Sequence, residues 1–209
     1  MRQSIQVFLV VTGCILLVGV QMASAGLVTM EESNLEDLLG ANPAAIGNVT
    51  VTAMISGSFH ATAYSQAYTN DQGAYAYLYQ LENNESSAYP IEMFTLDAFR
   101  GASDTTQIGY LSGDVPEGFI AGGLFPEDQG YILDELVSIY FTLRAGAEIP
   151  VGENSVVMYA VTDYLPGVIT ANVINGSVAS GPVVGPVPEP ATLCLISLGG
   201  LTLLRRRKE

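Results

Sequence analysis

Short runs that alternate between apolar and polar side chains dominate the middle of this 209-residue sequence. Apolar residues fall on every second position from Val49 to Ile55, and the same period returns in Phe59–Tyr68. A period of two is that of a β-strand, whereas a helix needs a period near 3.6. We predict further strands at Ala74–Leu81, Ile91–Phe99, Gln107–Leu111, Val137–Leu143, Val156–Thr162 and Val168–Ile174.

Clusters of Gly, Pro, Asn and Asp separate these runs. One of them, Thr69–Gly73, leads directly from one run into the next, which is typical of a β-hairpin. The best helical candidate is Glu31–Leu39, where Ser33 and Glu36 have capping-box spacing and Gly40 ends the pattern. Because no long helix separates the strands, we expect an all-β fold, an antiparallel β-sandwich of about eight strands.

The first 25 residues have the parts of a secretory signal peptide. One arginine near the start supplies positive charge, Val7–Val20 is apolar, and Ala23 and Ala25 form the small-x-small pattern that signal peptidase reads. We predict a signal helix here, with cleavage before Gly26. A competing lipoprotein signal, Val11–Cys14, is less consistent because cleavage there would leave only a short hydrophobic core before it.

The last 22 residues combine a proline-flanked glutamate, an apolar run and a basic end. In order, they contain Pro188, Glu189, Pro190, the run Ala191–Leu204, Arg205, Arg206, Arg207 and Lys208. The two prolines keep the triplet extended. A helix over the apolar run would be about 21 Å long against a hydrocarbon core of about 30 Å. We expect a marginal, transient transmembrane helix with its cations on the cytoplasmic side; the alternative, a helix buried in the domain, would place four cations beside a core.

This tail resembles the PEP-CTERM sorting signal. The resemblance implies a substrate of exosortase, an integral-membrane transpeptidase-like enzyme that cuts near the motif. It makes Pro188, Glu189 and Pro190 recognition residues, a site acted upon and not a catalytic one. It also implies export in a bacterium that makes exopolysaccharide or biofilm, with an inner-membrane tether before processing and the cell surface or extracellular matrix afterwards. The expected partners are signal peptidase, the exosortase-like enzyme and, before processing, the membrane.

Two segments lie between the ends. Residues 26–174 are the expected sandwich domain, and residues 175–187, rich in Gly and Pro, are the expected linker. A segment of this composition is typically extended and exposed. We therefore predict a spacer that lets a membrane-held enzyme reach the motif.

Charge and cysteine content exclude several classes of function. Residues 26–187 contain nineteen acidic residues and only two basic ones, Arg100 and Arg144, a formal charge of −17. Such a field repels nucleic acid, so nucleic-acid binding is not expected. Both cysteines, Cys14 and Cys194, lie in the end segments, which leaves the domain without a disulfide, a thiolate nucleophile or a cysteine-based zinc site.

Catalytic residue types are scarce. His60 is the only histidine, and no Gly-x-Ser-x-Gly motif accompanies it. Carboxylate pairs such as Glu92 with Asp97, or Asp134 with Glu135, show no glycosidase signature beyond their acidity. We therefore expect no catalytic residues and no enzymatic activity, with a hydrolase as a distant alternative.

Calcium is the one cofactor that the acidic residues bring into consideration. Asn70-Asp71 and Glu127-Asp128 lie in turns, where carboxylates and backbone carbonyls are ligands that Ca²⁺ takes. Neither turn has EF-hand spacing. We expect solvated turns and assign no metal ligands.

Tyrosines recur at every second position in one predicted strand. Tyr75, Tyr77 and Tyr79 share a face, and Tyr64 and Tyr68 lie on the strand before. Packing within or at the rim of the sandwich is the expected use of such residues. The alternative is a ligand face on which sugar rings stack, since tyrosine offers an apolar face and a polar tip; the absence of tryptophan weakens it.

Two interpretations of function follow from these patterns. The leading one is an exported, non-enzymatic β-sandwich that acts as a surface or extracellular-matrix component. The alternative is an exopolysaccharide-binding module, assisted by calcium, that uses the tyrosine face.

Overall fold

Two six-stranded sheets make up the fold, described here from a computed structural model. It describes residues 25–70, 73–99, 106–133, 135–141 and 148–187. One short helix, α1 (Leu35–Leu39), accompanies the strands. The strands are β1 (Ala25–Thr29), β2 (Glu31–Ser33), β3 (Ala44–Ser56), β4 (Phe59–Thr69), β5 (Tyr75–Asn83), β6 (Met93–Asp97), β7 (Gln107–Leu111), β8 (Gln129–Leu133), β9 (Leu136–Tyr140), β10 (Met158–Thr162), β11 (Pro166–Asn175) and β12 (Ser177–Pro186).

The strand order confirms the expected antiparallel-rich β-sandwich. Sheet A has the order β1-β8-β9-β6-β11-β12, and sheet B has the order β2-β7-β10-β5-β4-β3. Only β2 runs parallel to its neighbour, β7. The twelve described strands exceed the expected eight because β1, β2, β8 and β12 lack a clear alternating pattern. The predicted helices at the two ends of the chain lie outside the described residues.

The main core fills the space between the two sheets. Its largest fully buried side chains come from both sheets and the loops beside them: Tyr77, Tyr79, Phe59, Phe94, Phe99, Phe141, Met54, Leu81, Ile91 and Leu96. Burying one such side chain contributes about 1.5–3 kcal/mol. The inner faces of β4, β5 and β11 contribute three or four buried residues each to this core, and every other described strand except β1 and β2 adds one or two.

A second, smaller core covers part of the outer face of sheet B. Leu39 of α1 packs with Tyr68, Leu78 and Tyr159, and the loop after β7 adds Phe119. Strand β5 therefore has buried residues on both faces, and six consecutive positions of it are buried. The short helix covers part of this second core with its leucine side chains.

The helix is shorter than predicted and has a different N-cap. Residues Glu31–Ser33 form β2, so the predicted capping box from Ser33 to Glu36 is wrong. Asn34 is the N-cap: its side-chain oxygen accepts a hydrogen bond from the Asp37 N–H at 2.9 Å. The predicted end is confirmed, because Gly40 has a φ of +82° and its N–H donates to the Glu36 carbonyl.

The prediction of an exposed linker over residues 175–187 is wrong, and the sandwich continues past residue 174. Strand β12 pairs with β11 along its whole length, from Ser177 to Pro186, after a turn at Gly176. Its Ala179 and Val183 are buried in the main core. Proline is tolerated here because β12 is an edge strand, where a missing N–H breaks no inter-strand bond.

The Gly and Pro residues that made this segment resemble a linker instead let β12 approach sheet B closely. Gly181 lies against the Thr52 side chain, and a methyl group at that position would come within 2.5 Å of it. The Thr52 hydroxyl donates to the Pro182 carbonyl at 2.6 Å, and the Val184 N–H donates to the Ser65 hydroxyl at 3.0 Å. These bonds join the two sheets at one side of the sandwich.

Candidate functional site

The described part of the chain begins at the predicted signal-peptide boundary. Ala25 is the first residue of β1 and pairs with Leu133 of β8, and Gly26 follows it in the same strand. Ala23 and the apolar run before it lie outside the described residues. Cleavage before Gly26 stays a prediction, and it would remove one residue from an edge strand.

The described part of the chain ends immediately before the proline-flanked glutamate. Strand β12 ends at the buried Pro186, and the Val187 N–H donates to the Leu165 carbonyl at 3.0 Å. The Val187 side chain packs against Gly167 and the main core. Pro188 is the next residue, so no spacer separates the sandwich from the motif.

Several predicted sorting residues lie outside the described part of the chain. These are Pro188, Glu189, Pro190, Arg205, Arg206 and Arg207. Within the described ranges, no helix is long and apolar enough to span a bilayer. The transmembrane helix predicted over residues 191–204 also lies outside them.

The tyrosine face of β5 belongs to the core, so a ligand platform on these residues is wrong. Tyr77 and Tyr79 are 0% and 1% exposed, and Tyr75 is half-buried. Tyr77 packs edge-on against Phe99 with ring centroids 6.0 Å apart, and Tyr79 lies 5.8 Å from Phe94. The cause is tertiary: β5 is a central strand of sheet B, and sheet A covers its inner face.

The buried hydroxyls of Tyr77 and Tyr79 differ in their hydrogen bonding. The Tyr77 hydroxyl donates to the Tyr164 carbonyl at 2.6 Å, whereas the Tyr79 hydroxyl has no partner among the described residues. Burial raises the pKa of both tyrosines above 10.0. Both hydroxyls are therefore protonated at neutral pH, and both side chains pack in the main core.

Tyr64 and Tyr68 project from the opposite face of sheet B. In the register of β4 with β5, they lie beside Gln80 and Ala76, while Tyr77 and Tyr79 lie beside Ala67 and Ser65. Tyr68 is buried and belongs to the outer core. Tyr64 is only half-buried and donates to the Glu82 carboxylate at 2.7 Å.

A polar ladder connects β4 to β5 and the turn that follows on this outer face. Its rungs are Tyr64–Glu82 at 2.7 Å, Thr62–Asn84 at 3.0 Å and His60–Ser86 at 2.8 Å. Burial and the Glu82 hydrogen bond raise the pKa of Tyr64 to about 12. The side chains of the ladder satisfy one another.

The environment of His60 does not resemble a catalytic triad. Its Nδ1 lies 2.8 Å from the Ser86 hydroxyl and its Nε2 lies 3.1 Å from the Gly57 carbonyl. Both ring nitrogens are therefore engaged, and neither contact is to a carboxylate. A triad needs a carboxylate to orient the imidazole, so this geometry supports a structural role.

The contacts described for the candidate acidic residues Asp97 and Glu92 are with different partners. Asp97, the last residue of β6, accepts a hydrogen bond from the Asn172 amide at 2.8 Å. Glu92 precedes the same strand and pairs through its backbone with Ile174 and Phe141. Asp134, the predicted partner of Glu135, lies outside the described residues.

The proposed calcium turns show no ligand cluster in the described residues. Asn70 closes the turn between β4 and β5: its amide donates to the Leu39 carbonyl at 2.6 Å, and its side-chain oxygen accepts from the Ala74 N–H at 3.1 Å. Glu127 is buried, and its N–H bonds the Tyr140 carbonyl. Across the described ranges, no three His, Cys, Asp or Glu side chains come together to hold a metal.

Comparison with known proteins assigns the C-terminal segment. Residues 186–208 match the model of the PEP-CTERM protein-sorting motif. No curated protein and no solved structure matches the chain.

The fold and the C-terminal segment together define a class: a β-sandwich with a membrane-directed sorting signal attached at the end of its last strand. The chain carries this sorting motif, which implies export and processing by exosortase-type machinery. The match begins at Pro186, the last residue of β12, so the fold and the signal meet without a gap.

Proposed function

We propose that this protein is a non-enzymatic component of the cell surface or extracellular matrix, delivered as a folded β-sandwich through its C-terminal signal. The observation that carries this proposal is the position of the motif directly after β12. Hydrogen bonds hold β12 to both β11 and sheet B. Cleavage after β12 would therefore release a domain that keeps every strand.

The described side chains favour a structural role over a catalytic one. His60 lies in a ladder of mutually bonded polar groups, and the carboxylates Glu82 and Asp97 each accept a hydrogen bond from a neighbouring side chain. Tyr77 and Tyr79 are buried and Tyr75 is half-buried, so polysaccharide binding through the β5 tyrosines is not part of the proposal.

Replacement of Pro188, Glu189 and Pro190 by alanine tests the sorting route. We expect the variant to remain uncut and associated with the inner membrane, because the enzyme loses the extended, proline-flanked site that it reads. Mass spectrometry of the C-terminus and membrane fractionation in the producing bacterium are the measurements. Pro182→Ala is the matched control, since this exposed proline lies in β12 and outside the matched segment.

Normal processing and release of the alanine variant would contradict the proposal. A released protein that still ends at Glu209 would contradict it as well. Turnover of a surface polymer by the purified protein, abolished by one carboxylate substitution, would replace the structural role with an enzymatic one.

A further inference from the structure

Strand β3 differs from the other strands at the sheet edges of the described fold. An exposed edge offers unpaired N–H and C=O groups to another strand, and proteins usually block this with short length, charge or proline. Strand β2 has three residues including two glutamates, β12 contains two prolines, and β1 has five residues. Strand β3 has thirteen residues with neither a charge nor a proline.

The charge pattern isolates the same region. No Asp, Glu, Lys or Arg occurs between Asp37 and Asp71, a stretch that contains all of β3 and β4. The rest of the domain gives residues 26–187 their formal charge of −17. Because like charges repel, two copies of this acidic protein approach most easily through this neutral edge.

Within β3, the segment from Thr50 to Ser56 is the part that pairs regularly with β4, and its other edge has no strand partner in the described fold. The register with β4 shifts between Ile46 and Thr50 and is regular from Thr50 onward. Val51 and Ile55 are 59% and 63% exposed on the outer face. On the inner face, Met54 is fully buried in the main core and holds the segment rigidly in place.

We propose that Thr50–Ser56 is a self-association edge that pairs antiparallel with the same segment of a second copy of this chain. The segment is complementary to itself: a two-fold axis at Ala53 places Val51 opposite Ile55 of the second copy, and the reverse. Opposed β-branched residues are favourable cross-strand pairs. The pairing would join two copies of sheet B into one continuous twelve-stranded sheet, an interface with closed two-fold symmetry.

The size of this edge predicts a weak dimer. Seven strand residues extend about 23 Å, and the surface that they bury is smaller than the roughly 800 Å² per partner of stable complexes. Association should therefore depend on concentration and increase where sorting gathers many copies at a surface. The edge belongs to the folded domain, so this inference holds whether or not the tail is processed.

Disulfide trapping tests the pairing in the full chain. Ala53→Cys, in a background with Cys14→Ala and Cys194→Ala, is produced in the exporting bacterium and oxidised with copper phenanthroline. Residues directly opposite in antiparallel strands have Cα atoms about 4.5–5.5 Å apart, within the disulfide range of about 4.4–6.8 Å. We expect about ten-fold more disulfide-linked dimer than for Val168→Cys, a control on β11 whose native side chain is 72% exposed.

Two further variants test the register and remain available if Ala53→Cys does not accumulate. Chains with Val51→Cys and Ile55→Cys, carrying different tags, should form the mixed disulfide several-fold more often than either homodimer. Sedimentation of the purified protein should also show a concentration-dependent dimer that Ala53→Lys abolishes. The lysine lowers the net negative charge, so general repulsion between copies cannot explain that loss.

Equal cross-linking of Ala53→Cys and Val168→Cys would overturn the proposal, as would monomer alone at every concentration. Dominant Val51→Cys homodimers would exclude the antiparallel register centred on Ala53. A dimer in solution that Ala53→Lys leaves intact would assign the contact to another surface.

Discussion

At the residue scale, the two fully buried tyrosines of β5 have the same burial but different hydrogen bonding. Tyr77 donates to the Tyr164 carbonyl, whereas the Tyr79 hydroxyl finds no partner among the described residues. A buried polar group without a partner costs about 1–3 kcal/mol, while a satisfied hydrogen bond contributes about 0.5–1.5 kcal/mol. Removal of each hydroxyl should therefore have opposite consequences.

We expect Tyr77→Phe to lower the free energy of unfolding by about 1 kcal/mol, because it removes a hydrogen bond and leaves the ring packing intact. Tyr79→Phe should be neutral or raise that free energy by about 1 kcal/mol, because it removes an unpaired hydroxyl. Urea unfolding of both variants beside the wild type measures the difference. Equal destabilisation by the two substitutions would show that Tyr79 has a partner.

At the element scale, β12 decides where the domain ends. The strand buries Ala179 and Val183 in the main core and covers the inner side of β3 and β4 through Gly181. Burial of the Val183 side chain alone contributes about 1.5–3 kcal/mol. Deletion of β12 would lose this burial and the bonds to Thr52 and Ser65. Together they are large against a typical stability of about 5–15 kcal/mol.

A chain that stops after Val187 should fold as the full domain does, because it keeps β12 and the Val187 hydrogen bond. A chain that stops after Asn175 should be degraded or aggregate, because it exposes the core under the missing strand. Protease resistance and circular dichroism of the two truncations distinguish the cases. Equal stability would restore the linker interpretation.

At the scale of the whole molecule, negative charge opposes folding with little compensation. The described residues contain no lysine or arginine, since Arg100 and Arg144 both lie outside them. The formal charge of residues 26–187 is −17. Mutual repulsion among carboxylates raises the free energy of the compact state relative to the unfolded chain.

Added sodium chloride should therefore stabilise the protein. An increase from about 0.01 M to about 0.1 M shortens the Debye length from roughly 30 Å to roughly 10 Å and screens the repulsion. We expect the free energy of unfolding to rise by about 1 kcal/mol, measured by urea unfolding at each salt concentration. A flat or falling dependence would mean that repulsion among the carboxylates does not limit the stability of the fold.

Sequence patterns predicted the elements whose two faces differ clearly. Strand β11 alternates between exposed and buried positions because one face lies in the main core, and Gly40 ended the helix where a left-handed conformation was needed. Strand β12 escaped prediction because Gly181 and Pro182 are typical of a linker, and their value lies in a close approach to sheet B that no local pattern reveals.

The sequence by itself determined the all-β class and the sorting signal, because a period of two and a proline-flanked glutamate before an apolar run are local features. Only the tertiary structure decided which faces are buried. The sequence favoured core packing for Tyr77 and Tyr79 and left a ligand platform as the alternative, and the cover of sheet A over β5 decides for the core. The accessible edge of β3 likewise depends on strand order, which arises from contacts between residues far apart in the chain.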